Sequence, residues 1–207
     1  ERTGPWRWTA ALIALIGAAW LSAPLPGRAE PPQAVATAAA QSPRPVARDP
    51  WAAPAMRWDG HARDTDWTFA TLAAIRGPGS ALPQQTPADI AAWCPGYTAA
   101  GEAQRRAFWA GLISALAYHE STHRPDAVGG GGRWFGLVQI SPATARARGC
   151  QATTGEALRD AAANIRCGAR IMGANVARDG VLAEGRGGVA ADWGPFVQEA
   201  KREEMRA

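Results

Sequence analysis

A chain of 207 residues, 47% of them hydrophobic, has the material for one domain with a buried core plus accessory segments. Its formal net charge of +4 comes without a block of like charges, and setting residues 1–29 aside removes three Arg and one Glu and leaves it closer to neutral. Nucleic-acid binding is therefore unsupported. The basic residues are almost all Arg, with Lys201 the one lysine.

Residues 1–29 have the form of a signal peptide. Arg2 and Arg7 make a basic front, Thr9 to Ala23 is apolar, and Gly27-Arg28-Ala29 offers small residues where a signal peptidase reads. The apolar stretch is short for a bilayer span, an uncleaved anchor being the alternative. Export to the periplasm is the expected location. Residues 30–57 are rich in Pro and Ala and hold few large apolar side chains, so a disordered linker is expected there. Residues 58–207 are the expected folded domain. An exported chain meets oxidising conditions, and Cys150 and Cys167 are the expected disulfide, brought together by a short helical hairpin, with Cys94 left over. Three small buried hydrophobes are the other reading of these cysteines.

Within the domain, a short helix is expected from Asp66 to Arg76, with Trp67, Leu72 and Ile75 inward. A second is expected from Thr86, as its N-cap, with Pro87 in the first position and Asp89 completing the start, stopping before Pro95. The strongest periodicity runs from Glu102 to Thr122. Its row Trp109, Ile113, Leu116 leads four residues on to Glu120. A carboxylate on an apolar row is costly unless neutralised, and it also sits at the helix's partially negative end. Both effects raise a carboxyl pKa, as a general acid working near neutral pH requires. Pro125 ends this helix, Gly129 to Gly132 is a loop, and Trp134 to Ile140 reads as a strand or hairpin arm. Ser141-Pro142 opens a short helix ending at Gly149-Cys150. Asp160 caps a longer one, Ala161 to Arg178, with Ile165, Gly168, Ile171 and Met172 inward and Asn164 beside them. A charged, fraying helix is expected near the C-terminus. The class is mainly α with one small β element.

The segment His119-Glu120-x-x-His123 also fits the H-E-x-x-H zinc pattern, with Glu120 as the base. Pro125 interrupts the helix that such a site needs. The only other histidine is His61, so the third ligand would have to be a carboxylate such as Glu156. On this reading zinc is the less favoured outcome, and His119 and His123 are expected as partly exposed residues flanking a cleft.

Three blocks in order resemble the soluble lytic transglycosylase (SLT) domain family. They are Ala117-Tyr118-His119-Glu120-Ser121, Gly136-Leu137-Val138-Gln139-Ile140-Ser141-Pro142-Ala143-Thr144-Ala145, and Asn164-Ile165-Arg166-Cys167-Gly168. The resemblance implies a lysozyme-like α-helical domain with one small β-hairpin that cleaves bacterial peptidoglycan. It implies Glu120 as the catalytic acid/base, with Ser121 hydrogen-bonding nearby and Gln139 and Ser141 on the sugar cleft. Asn164 would support the site from behind. Trp134 and Trp193 are candidate stacking platforms, although in a chain with 10 Trp packing is an equal role for either. The expected partner is the peptidoglycan glycan strand, acted on by a monomer without metal or other cofactor. A flagellar or secretion envelope complex is compatible as a further partner.

One departure is visible. The family usually carries Ala-Tyr-Asn-Ala-Gly near its C-terminus, with the Tyr beside the catalytic carboxyl. Here the counterpart is Ala191-Asp192-Trp193-Gly194-Pro195. A hydrolytic muramidase, using a second carboxylate such as Asp192, and a non-catalytic wall-binding protein are the alternatives this raises.

Overall fold

The computed structural model describes residues 54–206; the signal-like stretch 1–29 and residues 30–53 of the expected linker lie outside the described residues. Buried packing starts at Met56 and Trp58. The indole Nε1 of Trp58 donates to Thr68 Oγ1 at 2.9 Å, and its ring meets Trp67 edge-on. Both partners lie on helix α1 (Asp64–Arg76), which buries Trp67, Ala74 and Ile75.

The helix expected from Thr86 is absent. In its place stand single 3₁₀ turns at Ile90–Ala92 and Tyr97–Ala99. The Asp89 carboxylate, expected to serve a helix start, instead accepts from the backbone N–H groups of Leu182 and Ala183. That long-range anchor outweighs a local cap, and Pro83, Pro87 and Pro95 leave too few consecutive residues to build a stable helix around it.

Helix α2 (Glu102–Ser121) forms the axis of the domain. Trp109, Ile113 and Leu116 are fully enclosed, as their helical spacing dictates. Trp109 Nε1 donates to the Tyr97 hydroxyl at 2.8 Å, which in turn donates to the Leu82 carbonyl. The polar tips of two large aromatic residues are thereby satisfied inside the core.

After α2 come two short strands, β1 (Val128–Gly129) and β2 (Trp134–Phe135), paired antiparallel. The arm expected to continue to Ile140 stops at Phe135. Residues 136–139 turn back so that Phe135 and Ile140 exchange both backbone hydrogen bonds. Gly136 at φ +82° makes the turn possible: a Cβ there would collide with the Leu158 carbonyl and the Asn164 side chain.

Helix α3 (Pro142–Ala147) starts with Ser141 Oγ accepting from Thr144 N–H, and α4 (Ala161–Asp179) starts with Asp160 accepting from Ala163 N–H. Gly180 ends α4 at φ +69°. A disulfide joins Cys150, beyond α3, to Cys167 on α4, and Cys94 is free. Helix α4 packs on α1, and α5 (Glu199–Arg206) lies against α2. The result is a mainly helical domain with one small β element.

Candidate active site

Glu120 occupies the last turn of α2, half-buried. Burial pushes its carboxyl up to about 7, against the weaker opposing pull of Lys201 on α5. A carboxyl poised there is held in both protonation states near neutral pH, so it can give a proton and take one back.

The chain leaves α2 under strain. Thr122 and His123 both adopt the left-handed conformation, at φ +51° and +59°, and Gln139 does so at +51°. These are the three non-glycine residues with positive φ among the described residues, and all three lie in the two segments that the Ser121–Leu137 hydrogen bond joins. Each costs about 1–3 kcal/mol, and such strain gathers at functional sites. What holds it is a set of hydrogen bonds between the end of α2, the 136–140 turn and α4.

Those bonds correct several expected substrate contacts. Ser121 is enclosed: its hydroxyl proton is shared between the carbonyls of Ala117 and Leu137, and its oxygen accepts from Arg124 N–H. It clamps the helix end to the turn and faces no cleft. Asn164 is also enclosed. Its Oδ1 accepts from Val138 N–H, and its Nδ2 donates to the carbonyls of Phe135 and Leu158. It pins the turn from behind rather than binding sugar. Gln139 lines a small cavity, but its amide N–H groups are taken by the carbonyls of Ala127 and Gly136, so they fasten the turn to the strand before it. Trp193 is 3% exposed and donates Nε1–H to Val138 O at 2.7 Å. It is a core residue carrying the turn, not a stacking platform. The support of Asn164 from behind and the packing role open to Trp193 agree with this arrangement, whereas the inward turn of Ser121 was not legible, because spacing along the chain does not report tertiary orientation.

Trp134 does stay open, at 41% exposure. Its ring lies across Gly130 and carries the Arg133 guanidinium 4.9 Å from its centroid. With Ser141, Arg133 and Arg146 it lines an open groove of about 440 Å³, which shares Trp134 and Ser141 with the small cavity holding Gln139, Asp192 and Trp193. Ser141 is partly exposed, its hydroxyl engaged with Thr144 at the start of α3.

The histidines do not form a metal site. Helix α2 ends at Ser121, so His123 leaves the helical track and turns inward, where Nε2 donates to the Ser114 carbonyl and the ring packs edge-on against Trp58. It is 9% exposed rather than flanking a cleft. The His119 side chain is likewise covered, with Nε2 3.5 Å from Glu204 Oε2. Burial holds both imidazoles below the usual histidine value, opposed by Glu204 at His119 and by the Ser114 carbonyl at His123. Among the described residues no group of three His, Cys, Asp or Glu side chains is placed to hold a metal.

Helix α5, expected to fray, is seated instead. Glu204 bridges Arg57 and His119, and the Arg206 guanidinium lies 4.6 Å from the Trp93 ring centroid. This seat brings Lys201 to Glu120. A charged helix with no apolar stripe offered no sequence signal for it. Asp192 is engaged by Asn175 at 2.7 Å and Arg148 at 3.3 Å.

The model of the transglycosylase SLT domain matches residues 98–183. Among solved structures the chain is similar to Bd0314 DslA, in two glutamate-to-glutamine mutants and in the wild-type form 2. All three are 27% identical to it, with TM-scores of 0.65 to 0.67. The matches cover 73–74% of this chain and 92–93% of those chains. No curated protein matches it. Domain match, motif order and lysozyme-like architecture agree: residues 98–183 match a transglycosylase SLT domain, and the match supports a function of the lytic-transglycosylase type.

Proposed function

We propose that this protein cleaves the β-1,4 bond between N-acetylmuramic acid and N-acetylglucosamine in peptidoglycan, with Glu120 as its single acid/base and a 1,6-anhydromuramyl product. Protonated Glu120 gives its proton to the bridging oxygen as the bond to muramyl C1 breaks, and positive charge develops at C1. The carboxylate then takes the proton of the same sugar's 6-hydroxyl, whose oxygen attacks C1 and closes the ring. The nucleophile belongs to the substrate and is already in place, so no activated water is needed. Acid/base assistance of this kind contributes about 10²–10⁴-fold.

The observation that carries this reading is the setting of Glu120. It is a half-buried carboxyl with its pKa raised to about 7 by burial, against the opposing pull of one lysine. Glycosidases that activate water generally pair two carboxyl groups across the bond. Asp192, the candidate for a second, is tied to Asn175 and Arg148. A periplasmic location suits both the substrate and the disulfide.

Digestion of purified sacculi by the wild type and Glu120→Gln, followed by mass analysis of the released muropeptides, tests the proposal. Products lighter by one water than hydrolytic ones, released by the wild type alone, are expected. Hydrated products would identify a muramidase. Equal release by both proteins would remove Glu120 from the acid role, and no release by either would leave a wall-binding protein.

A further inference from the structure

The groove beside Trp134 carries chemistry that cleavage of a neutral glycan bond does not require. Arg133 and Arg146 both line it, both exposed, and no acidic side chain does. Neither guanidinium meets a carboxylate among the described residues. Arg133 donates only Nε–H, to the Gly130 carbonyl, and Arg146 only one Nη, to the Thr153 carbonyl. The contacts steady both side chains and leave further N–H groups of each fork without a partner. The Trp134 ring adds an apolar floor and fixes Arg133 by stacking. The nearest carboxylate in the adjoining cavity, Asp192, is held by Arg148 and Asn175 and does not neutralise the pair.

An acid-free groove with two half-satisfied guanidinium forks suits a flexible ligand bearing several carboxylates. A peptidoglycan strand carries such a group on every muramyl unit: the peptide stem, with its free carboxylates. We infer that the Arg133–Trp134–Arg146 groove is a subsite for the acidic peptide stem, making the protein selective for stem-bearing over denuded glycan. The inference rests on peptidoglycan as substrate and adds a specificity determinant to that reading.

Two strand preparations test it: glycan with stems intact, and the same glycan after an amidase has removed them. The ratio of initial cleavage rates on the two is the readout. Wild type is expected to favour stem-bearing strands, and the preference is expected to shrink as salt screens exposed charges. Each of Arg133→Gln and Arg146→Gln is expected to lower the ratio by roughly two- to fivefold, the size of solvent-exposed ion pairs. Arg166→Gln with Arg170→Gln is the charge-matched control. Those two residues line a separate cavity of about 610 Å³ beside the disulfide, and their loss is expected to leave the ratio where it was. A wild type without preference, a preference surviving in the Arg133/Arg146 double variant, or an equal drop in the control overturns the inference. Should the wild type cleave neither strand, the catalytic reading fails, and co-sedimentation with the two strands decides this one. Arginine-dependent preference for stem-bearing glycan upholds it, and equal sedimentation overturns it.

Discussion

The hydroxyl of Ser121 lies 2.9 Å from the carbonyl of Leu137, joining the residue after Glu120 to the turn that follows β2. The same oxygen accepts from Arg124 N–H, so one small side chain holds the helix end, the strained exit and the turn together. Ser121→Ala leaves the buried Leu137 carbonyl without its partner, at about 1–3 kcal/mol. We expect a lower melting temperature together with slower muropeptide release. Ser121→Thr keeps the hydroxyl and is expected to recover part of both. Unchanged stability in the alanine variant would show that the clamp is dispensable.

Asn164 acts on the same turn from the opposite side. Its amide satisfies one N–H and two carbonyls at 2.9 Å each, none of which reaches water easily. Asn164→Ala removes three bonds at once, and Asn164→Asp keeps the acceptor but loses both donors. Both are expected to destabilise the domain, the alanine variant by about 2 kcal/mol or more, because Val138 N–H and the Leu158 carbonyl lose their partner while the Phe135 carbonyl keeps Ile140 N–H. Chemical denaturation measures this. A loss below about 1 kcal/mol for Asn164→Ala would show that the turn finds other partners.

These two residues show where sequence reasoning reaches and where it stops. Helices α2 and α4 were legible because their apolar residues recur at helical spacing, and because Asp160 and Gly180 mark the ends of α4. Glu120 stood out as a carboxyl on an apolar row. The reversal at Thr122 and His123 was not legible, since neither residue favours the left-handed conformation and only tertiary hydrogen bonds hold them there. The stretch from Thr86 to Ala99 followed helix-start chemistry on paper, yet Asp89 was committed elsewhere by Leu182 and Ala183, more than ninety residues on. Lys201 was conspicuous only as the single lysine, and its proximity to Glu120 depends on how α5 docks.

The Cys150–Cys167 disulfide closes a short loop that contains the 3₁₀ turn at Ala157–Arg159 and the start of α4, with a sequence separation of 17. Cross-linking a loop of this size limits the unfolded chain and stabilises the fold by about 3 kcal/mol. Reduction, or Cys150→Ser with Cys167→Ser, is expected to lower stability by roughly that amount. The expected change in the pH dependence of cleavage is nil, because Glu120 lies on another helix. Equal melting temperatures with and without reductant would contradict the first expectation.

Glu120 ties stability and activity to pH in opposite senses to an ordinary ion-paired carboxylate. Its pKa is raised from 4.5 to about 7 by burial, so the folded protein holds a proton that the unfolded chain releases. The associated stability is fully present below about pH 4.5 and is lost as pH rises through about 7. The shift corresponds to about 3 kcal/mol at 1.36 kcal/mol per unit. Glu120→Gln removes this titration. The variant is therefore expected to gain stability over the wild type by up to that amount at pH 8 and by little at pH 4, the histidines being common to both. Cleavage by the wild type should fall by about tenfold per unit above neutral as the acid loses its proton. Lys201 lowers the Glu120 pKa, so Lys201→Gln is expected to move that alkaline limb to higher pH. Muropeptide release followed from pH 5 to 9 measures the limb. A limb that stays in place in Lys201→Gln would mean that α5 does not act on the carboxyl, while a wild-type rate that is flat through neutral would mean that the titrating acid is another group.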